Sequence, residues 1–315
     1  LAVKATDKVT ARILGLALVE LIGYTGFFIV QMARGKQFYS KEYWKHALLF
    51  NIPLIPHYLS QQVLNSADRI MIKNMIGSSE AGIYGLAYSI SQIMTLFNTA
   101  LSHTLSPWIY QKIKDNRPHD ISRVAYSSLL IIASVNLMLI AIAPEAVAVF
   151  APKPYHDAIW VIPPVAMSVL FMFSYDLFAK FEFYYEKTNY IMAASSIGAL
   201  LNIGLNYVFI PVFGYYAAAY TTLICYIIYA AVHYLLMQKI CSQYLDGTSV
   251  YRTSVLLTIY AVFLIAGFSL MATYNYPVVR YSVIAVAILV MIIKRKPIKD
   301  ALQKLLSIRK NKPNA

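Results

Sequence analysis

Apolar residues run through this chain in nine stretches, each near the length that crosses a bilayer: roughly 9–33, 47–76, 81–110, 122–143, 158–181, 189–212, 215–238, 252–273 and 277–293. At ~1.5 Å rise per residue, about twenty helical residues span a hydrocarbon core of ~30 Å. The connections between stretches are short. The pattern therefore predicts an all-α protein, a polytopic bundle of about nine transmembrane helices without an extramembrane domain. Two stretches are interrupted by polar residues at helical spacing. In 47–76 these are Tyr58, Gln61, Gln62, Asn65, Asp68 and Arg69; in 81–110 they are Tyr84, Tyr88, Ser91, Thr95, Asn98, Thr99, Ser102 and Ser106. The turn Gly77-Ser78-Ser79-Glu80 separates the two. A membrane helix gains nothing by showing such a stripe to lipid, so both stripes are expected to face protein or a water-filled path. Gln61, Asn65, Asp68, Arg69, Tyr84, Tyr88, Thr95 and Asn98 are the candidate path residues.

Composition supports the membrane reading. Of 315 residues, 59% are hydrophobic and 13% charged, against about 25% charged in soluble domains. The net charge of +13 would suit a nucleic-acid binder, but its distribution follows the positive-inside rule. One side of the predicted topology carries Arg34, Lys36, Lys41, Lys45, Lys112, Lys114, Arg117, Arg123, Lys180, Lys187, Lys239, Arg252 and the eight basic residues of 294–315. The other side carries Lys4, Lys8, Arg12, Arg69, Lys73, Lys153 and Arg280. This asymmetry places the C-terminus in the cytoplasm and accounts for the charge without a nucleic-acid partner. The basic tail is expected to be solvated or to meet lipid headgroups.

Four further ionisable groups are candidates for coupling or gating. Glu20 lies near the middle of the first span, where an acid is costly; it serves either a functional role or an interhelical hydrogen bond. His103 lies beside the second polar stripe. Asp176 and Lys180 stand at i, i+4 in the favourable acid-first order, either as a structural ion pair or as a gate. Pro53 and Pro56 weaken or kink the start of 47–76. Asn202 and Asn206 share a helix face, and Tyr216, Tyr220, Tyr226, Tyr229 and His233 form a loose aromatic ladder, suited to packing or to stacking on sugars. Cys225 and Cys241 lie too far apart on one continuous helix for a disulfide. No spacing points to a metal or a cofactor. The chain begins at Leu1, shows no signal peptide, and reads as the C-terminal part of a longer protein.

Enzyme signatures are missing. The sequence contains no GxxxxGK[ST], HExxH, GxSxG or DxD motif and no glycine-rich phosphate loop. A membrane glycan polymerase would be expected to carry a sizeable external loop for its acceptor, and the external connections are short.

The run PLIPHYLSQQVLNSADRIMIKNMIGSSEAGIYGLAYSI resembles the lipid-linked oligosaccharide flippases of bacterial polysaccharide export, within the multidrug/oligosaccharidyl-lipid/polysaccharide exporter superfamily. LNIGLNYVFIPVFGYYAAAYTTL is similar to that family's paired Asn, Ile-Pro, Gly and small-residue pattern, with Ala217 where the family is expected to have Gly, and PEAVAVFAPKPYHDAIWVIPPV also fits. The resemblance covers roughly Thr10 to Met291. It implies a two-lobe, fourteen-helix transporter in the bacterial inner membrane. Residues 1–46 would hold the last helix of the first lobe and a cytoplasmic interlobe loop, 47–240 the complete six-helix second lobe, 241–293 the final helix pair and 294–315 a basic cytoplasmic tail. The implied activity is alternating-access flipping of an undecaprenyl-pyrophosphate-linked oligosaccharide unit for O-antigen, capsule or exopolysaccharide, with no covalent catalysis. The implied partners are that lipid-linked substrate, membrane lipids and the polysaccharide polymerase and export machinery. Arg69 would attract the pyrophosphate, and Tyr84 and Tyr88 would stack on sugars; alternatively Arg69 snorkels to headgroups or pairs with Asp68. The competing functions are a cation-coupled drug or metabolite exporter of the same fold, a membrane glycan polymerase, and an assembly component.

Overall fold

A computed structural model of the chain describes residues 7–37 and 39–293. The chain divides into two compact units, Leu1–Asn51 and Ile52–Ala315. The first unit contains α1 (Lys8–Gly35) and α2 (Lys41–Asn51). α1 is apolar over a membrane-crossing length, and the side chains of this stretch are largely exposed, Glu20 among them. It ends where Lys36 takes a left-handed φ of 53° and donates its N–H to Met32 O at 3.1 Å. α2 is short and amphipathic. It closes with Asn51 Nδ2 donating to Ala47 O at 2.8 Å.

The second unit contains α3 (Leu54–Met75), α4 (Ser78–Ser91), α5 (Ile93–Lys114), α6 (His119–Ala141), α7 (Ala143–Phe150), a 3-10 turn (Lys153–Trp160), α8 (Ile162–Tyr184), α9 (Thr188–Phe213), α10 (Tyr216–Tyr244), α11 (Thr253–Ala272) and α12 (Pro277–Ile293). α8 is its axis, with 18 of its 23 residues buried. α10 packs along it most extensively, and α5, α6 and α11 also lie against it. α9 bridges α10 to α3. Gly214 turns α9 into α10 at φ 69°, a conformation that costs glycine little and other residues more. Cys225 and Cys241 are both free and buried. In the connection between α8 and α9, Lys187 lies over the Tyr244 ring at 5.0 Å, and its hydrogen bond to Tyr244 raises its pKa above the ordinary lysine value.

The predicted spans are recovered as helices, with instructive breaks. The stretch 47–76 is divided at Ile52–Pro53, where α2 ends and α3 begins. The stretch 81–110 breaks at Gln92, where the Thr95 hydroxyl donates to Gln92 O at 2.7 Å and to Gln92 Oε1 at 2.8 Å. Among the described residues six helices are long and apolar enough to cross a membrane, and α12 is a shorter apolar one. The other two predicted spans are α3 and the α4–α5 pair, which carry the two polar stripes.

α11 packs on α6 and α8. α12 is tied to α7 by Arg280, whose guanidinium donates to Glu145 while lying over the Tyr281 and Tyr274 rings. The Tyr281 hydroxyl donates to the same carboxylate at 2.6 Å. The second compact unit thus begins at Ile52 and includes α11 and α12. The predicted basic tail 294–315 lies outside the described residues.

α11 approaches α8 through Gly267, where an added Cβ would meet Met167 Sδ at 2.5 Å. Gly204 on α9 has nothing within 4 Å of the same position. Gly267→Ala is therefore expected to destabilise by ~1–3 kcal/mol through overpacking. Gly204→Ala should be neutral or stabilising by up to ~1 kcal/mol from helix propensity. Thermal unfolding of the two variants in one detergent tests this contrast, and equal effects would refute the close α8–α11 contact.

Candidate functional site

The first polar feature of the second unit is centred on Asp68. The residue sits on α3 with 1% of its surface exposed. Its Oδ2 accepts hydrogen bonds from the Tyr84 hydroxyl of α4 and the Thr222 hydroxyl of α10, both at 2.7 Å, and its Oδ1 accepts from Asn206 Nδ2 of α9 at 2.6 Å. A second layer holds these donors. Asn206 Nδ2 also donates to Asn202 Oδ1 at 3.3 Å, the Thr221 hydroxyl donates to Asn206 Oδ1, and Asn202 Nδ2 reaches Thr222 Oγ1 at 3.5 Å. Among the described residues Asp68 has no cationic partner. Its carboxylate is satisfied by neutral donors alone, one for each of three neighbouring helices.

One turn away, the polar positions of α3 that remain accessible form a different face. Gln61, Asn65 and Arg69 follow at i, i+4 and i+8 and are partly exposed. Arg69 Nη2 donates to Asn65 O at 3.0 Å, and the guanidinium lies 5.1 Å from the Tyr88 ring centroid. The Tyr88 hydroxyl donates to Asn65 Oδ1 at 3.1 Å. Gln92 and Thr95, at the α4–α5 break, continue this face and are partly exposed too. A guanidinium held on an aromatic face, with most of its N–H groups uncommitted, is a binding element for a carboxylate or phosphate group.

A third cluster joins α5 to α8. Lys180, 3% exposed, donates to Asp176 Oδ2 at 2.6 Å and to Ser102 Oγ at 2.9 Å. The Ser102 hydroxyl donates to Asp176 at 2.5 Å. Asp176 itself is partly exposed. Nearby on α8, Glu182 is fully buried against His233 of α10.

These placements divide the predicted path residues. Arg69, Asn65, Gln61 and Thr95 lie on the partly exposed face, with Tyr88 at its edge. Asp68, Tyr84 and Asn98 do not. Tyr84 has no accessible surface, and its hydroxyl is spent on Asp68; Asn98 Nδ2 donates to Val169 O of α8 at 3.0 Å. In this structure these three are buried and hydrogen-bonded to other helices, as polar groups packed between membrane helices require. The suggested Asp68–Arg69 pairing is also absent, since adjacent residues point about 100° apart on a helix. Asp176 and Lys180 do form the predicted ion pair. His103 is exposed on α5, away from that pair's hydrogen bonds, and Glu20 is exposed on α1.

Three ionisable groups of the bundle, Glu145, Glu182 and His233, are not among the predicted site residues. Glu182 lies one position beyond the predicted end of its span, and α8 continues to Tyr184. Glu145 likewise fell just outside a predicted span. His233 was grouped with packing aromatics. Asn202 and Asn206 were paired on one face, but nothing local connected them to Asp68, 138 positions from Asn206.

The second unit is a helical bundle tied by buried polar contacts, with a separate partly exposed polar face, and the chain's fold is similar to that of solved membrane transporters. It is similar to a multidrug resistance MATE family transporter of the MOP superfamily in an outward-facing conformation: TM-score 0.53 and 20% identity, covering 72% of this chain and 52% of that one. It is also similar to a MOP superfamily transporter from Pyrococcus furiosus described as having a binding pocket of reversed polarity: TM-score 0.51 and 18% identity, covering 84% and 65%. Within that fold, residues 1–113 match the family described as polysaccharide biosynthesis protein. Two curated relatives come from Haemophilus influenzae. An uncharacterized membrane protein is 24% identical over 206 residues, 63% of this chain and 51% of its own length. Lsg locus putative protein 1 is 23% identical over 210 residues, 62% and 51%. The chain spans about half the length of the curated relatives it matches.

The two polar classes separate by substitution. Asp68→Ala strands the three buried donors of Tyr84, Thr222 and Asn206 at ~1–3 kcal/mol each, so a loss of about 3 kcal/mol or more is expected. Tyr84→Phe should cost ~1–2 kcal/mol, and Arg69→Ala should stay within ~0.5 kcal/mol. The measurement is thermal unfolding of the purified chain; an Arg69 variant as unstable as the Asp68 variant would reject the division.

Proposed function

We propose that this chain forms part of a transporter that flips an undecaprenyl-pyrophosphate-linked oligosaccharide unit across the bacterial inner membrane for surface polysaccharide synthesis. The observation that carries the reading is the polysaccharide-biosynthesis match over residues 1–113, which includes α3, α4 and nearly all of α5. Those helices bear the accessible polar face. On this reading Arg69 engages the pyrophosphate through charge-assisted, forked hydrogen bonds. The partly exposed Asn65, Gln61, Gln92 and Thr95 offer the polar amide and hydroxyl groups that a glycan requires. The lipid tail stays in the bilayer. Rocking of two halves about a central site exposes it to each side in turn, and no bond is made or broken. The basic-residue asymmetry puts the C-terminus in the cytoplasm on this reading, and the polymerase and export machinery are the expected downstream partners.

The fold equally suits a cation-coupled drug or metabolite exporter, as the similarity to a multidrug resistance transporter indicates. The polarity of the accessible face favours the anionic lipid-linked substrate. Among the partly exposed Gln61, Asn65, Arg69, Gln92 and Thr95 there is one cation and no acid, whereas a cationic drug would call for the opposite charge.

Arg69→Ala and Arg69→Lys, introduced into the whole transporter in its host and scored by surface polysaccharide at matched protein levels, test the proposal. The expected result is at least a tenfold loss with Ala, corresponding to ~1.4 kcal/mol or more of lost interaction, and partial recovery with Lys. Normal polysaccharide from the Ala variant would remove Arg69 from the site and return it to lipid-headgroup snorkelling.

A further inference from the structure

Where α9 begins and α10 ends, two lysines are gathered on tyrosine rings. Lys187, in the connection before α9, lies 5.0 Å from the Tyr244 ring of α10, and Lys239 of α10 lies 5.1 Å from the Tyr190 ring of α9. Each lysine thus reaches a ring on the other segment. Tyr190 is also within electrostatic reach of Lys187, so it links the two cations. The Tyr185 ring stacks on Tyr244 at 4.6 Å and fixes it from behind. Lys187 and Tyr190 are partly exposed, and Lys239 and Tyr244 are exposed. Among the described residues neither lysine is in an ion pair. A ring face holds an ammonium group without consuming its N–H donors, so both lysines keep donors for an anion. The positive end of the α9 dipole lies at the same place.

The surface next to these cations is apolar. On α9, Ala193, Ile197 and Leu200 follow Tyr190 at i+3, i+7 and i+10, which places them on the same helix face, and all three are exposed. On α10, Leu235, Ala231 and Ile228 precede Lys239 at i−4, i−8 and i−11, again on one face and exposed. The two helices pack together, and their faces meet where Lys239 covers Tyr190. The surface therefore carries positive charge at the end of the helices and an apolar track running from it into the span. The alanines keep the track narrow between bulkier neighbours. A free phosphate would use only the charged end. A lipid uses both, because its phosphate stays at the interface while its acyl chain lies in the hydrocarbon.

We propose that Lys187 and Lys239, held on Tyr244 and Tyr190, bind the phosphate of an anionic membrane phospholipid whose acyl chain lies along the exposed face of α9 and α10. The headgroup anion relieves the repulsion between two ammonium groups that no carboxylate of the described residues neutralises. It also joins the start of α9 to the end of α10, which the tyrosines alone hold only through ring contacts. The site lies on different helices from the Arg69 face of α3, and it does not depend on the identity of the transported molecule.

Native mass spectrometry of the purified chain, titrated with phosphatidylglycerol or phosphatidylcholine in mixed micelles, tests this. The unmodified chain is expected to bind one phosphatidylglycerol about tenfold or more tighter than phosphatidylcholine, since each basic residue at a membrane surface contributes to attraction for anionic lipid. K187Q/K239Q should lose that preference, and K187R/K239R should keep it. K73Q/K153Q removes the same charge at positions outside the cluster and should also keep it. Inorganic phosphate at the same concentration should not displace the lipid. Equal binding of the two lipids by the unmodified chain overturns the site. So does a loss in K73Q/K153Q as large as that in K187Q/K239Q, which would reduce the effect to net charge. Displacement by inorganic phosphate would show that the occupant is a free anion and overturn the lipid assignment. Should K187Q/K239Q fail to fold, the single variants K187Q and K239Q decide. Each is expected to weaken phosphatidylglycerol binding about threefold or more, and unchanged binding in both overturns the proposal.

Discussion

A carboxylate that must be satisfied where there is no water organises the second unit. Asp68 takes its donors from Tyr84, Thr222 and Asn206, one from each of α4, α10 and α9. In a bilayer the apolar effect scarcely drives helices together, because lipid is as apolar as leucine; packing and interhelical hydrogen bonds do that work. Four helices that converge on one carboxylate therefore have their relative depth and rotation specified by it. The other polar contacts of the unit depend on that register, including the Tyr88–Asn65 bond one turn along the same helix pair.

The same rule sorts the remaining polar residues. Lys180 and Asp176 join α8 to Ser102 of α5, Glu182 meets His233 between α8 and α10, and Glu145 receives Arg280 and Tyr281 of α12. Each tie joins helices that the chain order keeps apart. Such ties fix the packing of the unit's helices against one another. Function is left to the groups that the ties do not consume. Arg69 keeps its guanidinium partly exposed on the Tyr88 ring because its neighbour Asp68 is already fully engaged on the adjacent face of the same helix.

Much of this protein was legible along the chain. Apolar stretches of bilayer length, separated by short connections, determined a polytopic helical bundle, since only a helix satisfies its own backbone within a single crossing. The spacing of Gln61, Asn65 and Arg69 placed them on one helical face, and the i, i+4 step of Asp176 and Lys180 specified their pairing. Helical periodicity is local, so such relations need no knowledge of the fold.

What periodicity cannot report is which neighbour a face meets. Asp68, Tyr84 and Asn98 carry the same polar pattern as Arg69 and Thr95, yet the first three turn into the bundle and bond to other helices there. Glu182 and His233, 51 positions apart, meet only because α8 and α10 pack lengthwise; Asn206 reaches Asp68 only because α9 lies against α3. The sequence by itself determined that these polar groups sit within membrane-length helices and must be satisfied. Tertiary packing alone decided which were satisfied by one another and which remained available to a ligand, because hydrogen bonding between distant helices depends on their final rotation and depth, to within about an ångström.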